Sequence, residues 1–199
     1  MKHSCCLTSQ PIASLLVRIA MLICIVPAIL LSSENAIAKT RWETYLSLPT
    51  PQNASMVTAI EYTPGVIPEK SGYWVPDLAI LRNQVLDGDA EAFRLSYRLF
   101  EKADGGLAED LAVILSYTIR AHPEFFLREL SALQPSDRNL ESILLMLGTE
   151  YTDRLEAQRY EMRMRIGALE SVKIKSLQIF RNRCLKATKG AQARGGYVD

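Results

Sequence analysis

Beyond residue 38 this chain has one histidine, one cysteine and a few closely spaced acids from which a catalytic or metal site could be built. A nucleophile–base pair would need His122. That residue stands directly before Pro123 at a predicted helix start, and no nucleophile elbow or orienting partner accompanies it. One histidine and Cys184 do not make a zinc site without carboxylates. Asp87, Asp89 and Glu91 have the alternate spacing that opens a calcium loop. The twelfth position is Arg98, however, where such a loop requires glutamate, so the acids fit helix ends, where the macrodipole favours them. Gly105-Gly106 lacks the strand, lysine and hydroxyl of a phosphate loop and is expected to end a helix. Glu109 and Asp110 fit the first turn of the next one. The sequence therefore assigns no catalytic residue, no metal and no cofactor. Carboxylate pairs for glycoside hydrolysis carry no local signature, which keeps a carboxylate-dependent hydrolase as the alternative function.

Binding chemistry has better candidates. Trp42, Tyr73 and Trp74 stand outside the strongly periodic segments, where aromatics either stack on a ligand or seal an extended arm onto its own core. Lys173 and Lys175 belong to a second candidate surface. Residues 154–199 hold eleven basic residues against four acids, a net +7, whereas residues 39–153 carry −7. Glu161 precedes Arg165 by four residues, the favourable order for a same-helix pair. Arg159 and Arg165 flank an apolar stripe, from which their heads would reach acids on neighbouring helices. Internal pairing is therefore the expected use of this segregation. The rival is a basic face open to anionic lipid, nucleic acid or cell-wall polymer.

The elements that must position these residues are helical. Leu78, Leu81 and Val85 form the inner stripe of a helix from Asp77 to about Leu86. Asp89 is a suitable N-cap for the next, with Phe93, Tyr97 and Phe100 on one face and Ala92, Leu95 and Leu99 widening it. Leu107, Leu111, Ile114, Leu115 and Thr118 mark a third helix. His122-Pro123 restarts the chain for a fourth through Phe126, Leu130 and Leu133. Pro135-Ser136-Asp137 opens a fifth, with Leu140, Ile143, Leu144 and Leu147. Leu155, Met162, Ile166 and Leu169 give a long helix lying in a groove. Ile174, Leu177, Phe180 and Cys184 share a stripe of the last, roughly Ile174 to Ala187, which makes Cys184 a small core residue. The expectation is an all-α fold: a single compact irregular or orthogonal bundle of about five to seven helices over 77–189. An irregular Pro- and aromatic-rich arm over 39–76 precedes it, and a flexible tail over 190–199 follows. Residues 52–62 fit a short helix or a strand equally.

Residues 1–38 have the order of a cleavable signal peptide: Lys2 and Arg18, a 13-residue apolar run from Ile19 to Leu31, then Ala36-Ile37-Ala38 before Lys39. The run is short for a membrane span and contains Pro27. Cleavage would remove Cys5, Cys6 and Cys24, so the remaining chain would have no intramolecular disulfide and would depend on its core. With its charges balanced, it is not expected to bind nucleic acid. These observations together point to an exported, periplasmic or secreted, non-catalytic helical protein that binds another envelope or secreted protein, or an envelope component. A membrane would be a partner only if the signal were retained as an anchor.

Overall fold

Four helix starts in this chain, at Arg41, Pro51, Ala90 and Asp137, are set by side chains that satisfy free amides of the first turn. The computed structural model describes residues 39–58 and 76–193, and every regular element among them is helical. Thr40 and Glu43 form a reciprocal capping box at α1 (Arg41–Ser47), and Thr50 caps α2 (Pro51–Met56) ahead of its N1 proline. The part of the arm that is described is thus two short helices instead of irregular chain. Residues 59–62, for which helix and strand were both open, lie outside the described residues. α3 spans Pro76–Leu86. Asp89 caps α4 (Ala90–Phe100), its carboxylate accepting from the amides of Glu91 at 2.8 Å and Ala92 at 3.1 Å.

The glycine pair behaves differently from expectation. α4 stops at Phe100, and Gly105-Gly106 opens α5 (Gly105–Ala121) instead of closing its predecessor. Gly105 has φ +50°, a conformation that L side chains rarely adopt, and this turns the chain into α5. His122 alone separates α5 from α6 (Pro123–Leu133). Gln134 leaves α6 in the left-handed region, and Ser136 caps α7 (Asp137–Leu145) by accepting from the Asn139 amide at 3.1 Å. A 3-10 turn, Thr149–Tyr151, leads to α8 (Leu155–Ser171). After a second 3-10 turn, Lys175–Leu177, α9 runs Gln178–Ala193, one turn and a half beyond the expected end, and Ala191 in that extension is buried. Seven α-helices therefore lie between 76 and 193, and the arm adds two.

α5 is the centre: α3, α4, α6, α7 and α8 all pack on it, while α9 closes the far side against α7 and α8. The expected inner residues of α3, α4 and α5 are buried except the half-buried Leu107, with Leu78, Leu81, Val85, Phe93, Leu111, Ile114 and Leu115 fully inaccessible. Phe93 meets Phe125 and Phe126 edge-on, with centroids at 5.4 and 6.3 Å, joining α4 to α6. Among the described residues the core cluster runs from Trp42 to Cys184, inside the compact unit Lys39–Asp199, so that unit carries its own core. None of the described helices is long and apolar enough to cross a membrane.

One stripe differs in part from expectation. In α8, Leu155 is exposed and Ile166 only half-buried, and the residues that turn inward are Glu161, Met162, Arg165 and Leu169. The neighbouring helices explain why. α7 ends with unpaired carbonyls facing α8, and a guanidinium can satisfy them where an aliphatic side chain cannot.

Candidate functional site

That guanidinium belongs to Arg165, which is 1 % exposed. It donates through Nη1 to the carbonyls of Leu144 at 3.1 Å and Met146 at 2.8 Å, closing the end of α7. Through Nη2 it donates to Ser116 Oγ of α5 at 3.1 Å, and through Nε to Glu161 Oε1 at 3.2 Å. The Glu161–Arg165 pair expected from the i, i+4 spacing is therefore present, but as the inner face of α8. Burial pushes the pKa of Arg165 down, and the Glu161 carboxylate opposes it.

Glu161 collects two more donors. Arg120 Nη1 of α5 reaches its Oε2 at 2.9 Å, and Tyr151 Oη donates to the same oxygen at 3.1 Å. One nearly buried carboxylate thus ties α5, α8 and the 3-10 turn together. A second contact lies beside it: Tyr117 Oη donates to Glu150 Oε1 at 2.9 Å. Gly148 makes that contact fit. It is buried, and a Cβ there would overlap the Glu150 carboxylate. Both phenols are held in their neutral form. Burial comes first for each, followed by Glu150 at Tyr117 and Glu161 at Tyr151, and both pKa values are raised.

These side chains line a cleft of about 550 Å³ between α3, α5, the Thr149–Tyr151 turn and α8. Arg82 and Leu86 form one wall, Tyr117, Arg120 and Ala121 the floor, and Glu150, Tyr151 and Glu161 the other wall. It is the size of a small-ligand or side-chain pocket, with apolar patches between fixed polar groups. Glu161 stands out in the sequence only as the i, i+4 partner of Arg165, and Arg82, Tyr117, Arg120, Glu150 and Tyr151 have no pattern there that marks them as a site. The Glu161–Arg165 spacing was the one local signal pointing here.

The described residues among the sequence candidates stand elsewhere. Trp42 is fully buried, with Nε1–H donating to Asp77 Oδ2 at 3.3 Å and its ring tilted against Tyr45 at 5.6 Å, so it seals α1 onto α3 and shows no face to a ligand. Tyr73 and Trp74 lie outside the described residues. Lys173 and Lys175 are exposed at the α8–α9 junction, where Lys173 Nζ donates to the Glu170 carbonyl at 2.8 Å. His122 pairs Nε2 with the Leu86 carbonyl at 3.0 Å, which makes that nitrogen the donor and the ring a brace between α3 and α6. Asp110 has its carboxyl pKa raised by burial and by Glu109, but it does not line the cleft. Among the described residues no group of three His, Cys, Asp or Glu side chains is placed to hold a metal ion. No protein-family model, curated protein or solved structure matches the chain.

Proposed function

We propose that this is an exported, non-catalytic helical protein that binds another envelope or secreted protein through the cleft between α3, α5 and α8. The observation that carries this reading is the commitment of the cleft's acids. Glu161 accepts from two guanidinium groups and a phenol, and Glu150 from a second phenol. A general acid or base must be able to exchange its proton with substrate. A carboxylate neutralised by two arginines is instead a fixed recognition and bracing element. Cations, anions, phenols and the Leu86 and Ala121 surfaces in one cleft complement the mixture that a polypeptide presents.

A carboxylate-dependent hydrolase acting on an envelope or extracellular polymer is the second reading, and one observation favours it: two glutamates share the cleft. Two variants separate the readings. Ala121→Trp, at an exposed position, fills the cleft without touching the core. Glu150→Gln removes one charge. For the binding protein, a partner captured from the source envelope by the wild-type protein is lost with A121W, and no envelope polymer is cleaved by either form. Polymer cleavage by the wild type that disappears in E150Q establishes the hydrolase. Export is tested separately: the protein recovered outside the cytoplasm should begin at Lys39, and recovery with Met1 intact would support a retained anchor.

A further inference from the structure

The internal use of the C-terminal charges is only partial. Arg183 donates to Asp137 at 2.6 Å and Lys189 to Glu170 at 2.7 Å, while Arg159 pairs with Glu156 on its own helix. From Ser171 to Val198 the chain has no acid and seven basic residues. Lys175, Ile179, Asn182, Lys186 and Lys189 follow one another at four- and three-residue steps, which places them on one face of α9 and the turn that leads into it. All five are exposed. Lys175 and Lys186 make no ion pair among the described residues.

Ile179 stands within this cationic stripe, 88 % exposed, against 60 % for Leu48, the next most exposed of the large apolar side chains described. Ile174, expected on the inner stripe with Cys184, instead stands between Lys173 and Lys175 just before the 3-10 turn and is 40 % exposed. The opposite face of the helix is the buried one, through Cys184, Thr188 and Ala191. A single exposed isoleucine is ordinary on a protein surface. Its place inside a lysine stripe is what carries the argument.

We infer that the outer face of α9 docks on an anionic phospholipid bilayer surface, with Ile179 and Ile174 entering the headgroup–acyl boundary and Lys175 and Lys186 meeting the lipid phosphates. The charge matches any polyanion, but the apolar residues decide among them. A hydrated polymer or nucleic acid backbone gives an isoleucine nothing to be buried in, whereas the bilayer boundary does. Lysines held at the surface are each attracted by the negative potential of anionic lipids, and the attraction falls away within a Debye length. This surface is separate from the cleft, and neither reading rests on the other.

The test is co-sedimentation of the 39–199 protein with vesicles of phosphatidylcholine alone and of equal parts phosphatidylcholine and phosphatidylglycerol, across a salt series. The wild type should bind the phosphatidylglycerol vesicles and weaken as salt rises. K175E/K186E should bind at least about tenfold more weakly, and I179S about tenfold more weakly as well. All the changed side chains are exposed, so circular dichroism should stay unchanged. Absence of binding, or equal binding to phosphatidylcholine alone, would overturn the inference. So would an unchanged affinity in I179S with a loss in K175E/K186E, which would assign the face to a hydrated polyanion.

Discussion

Arg165 is the residue on which the local architecture turns. It is buried, charged and bonded to three helices, so its removal leaves two carbonyls, a serine and part of a carboxylate without their partner. Arg165→Ala should cost about 3–5 kcal/mol, the usual consequence of breaking a buried pair from one side. Arg165→Lys should recover little, because an ammonium cannot direct donors along the three directions of the guanidinium fork. Chemical denaturation measures both, and a loss below about 1 kcal/mol in Arg165→Ala would place the guanidinium outside the core. Cys184 gives a second check at this scale. It is fully buried, and burial pushes its thiol up to about 12. The native thiol should resist a polar alkylating reagent until denaturant is added, whereas fast labelling would contradict its burial. The group's folded pKa lies above its unfolded value, so its contribution to stability is complete below about pH 9 and is lost as pH rises toward about 12. Tyr45 and Tyr117, also raised by burial, act in the same direction at the upper end of that range. Denaturation midpoints should therefore fall as pH climbs through this window.

At the scale of the element, α4, α5 and α6 and the long α8 behave differently. Phe93→Ala and Phe126→Ala should each cost about 3–5 kcal/mol and Leu115→Ala about 2–5, since all three are fully buried. On α8, Met162→Ala should cost about 2–5 kcal/mol and the exposed Leu155→Ala less than about 1. Reversal of that order would restore the apolar stripe inferred from periodicity. The contrast explains what was legible in the sequence. α3 to α7 announce themselves because their faces are apolar at helical spacing and their caps, Asp89 and Ser136, are side chains of the expected type. α8 is legible as a helix with Met162 and Leu169 inward, but its full inner face is not, because it also carries Glu161 and Arg165, which a hydrophobic pattern assigns to solvent. The cleft was hidden for the same reason. Tyr117, Arg120, Glu150 and Glu161 come together only when α5 and α8 are packed, across sequence separations of 33 and 41 residues. Two glycines after a helix usually stop it, whereas here the α4–α5 link is Glu101 to Asp104 and Gly105 makes the entry turn of α5.

For the whole molecule, the charge segregation along the chain has two destinations in the fold. Part of the basic C-terminal segment returns to the acidic half: Arg165 anchors α8 to α5 and α7, and Arg183 reaches Asp137. Lys175 and Lys186 instead remain exposed on the outer face of α9 and the turn that leads into it. The cleft lies between α3, α5 and α8, where the acids are held by arginines and tyrosines from the same fold. We propose that this arrangement serves protein recognition. It is tested most directly by a photo-crosslinking amino acid placed at Ala121, in the cleft, and in a second protein at Tyr160, on the exposed face of α8, each expressed in the source cells. Illumination should give a discrete adduct with one partner protein from position 121 and none from position 160. The same adducts from both positions, or no adduct from position 121, would contradict the assignment of the cleft as a protein-binding site.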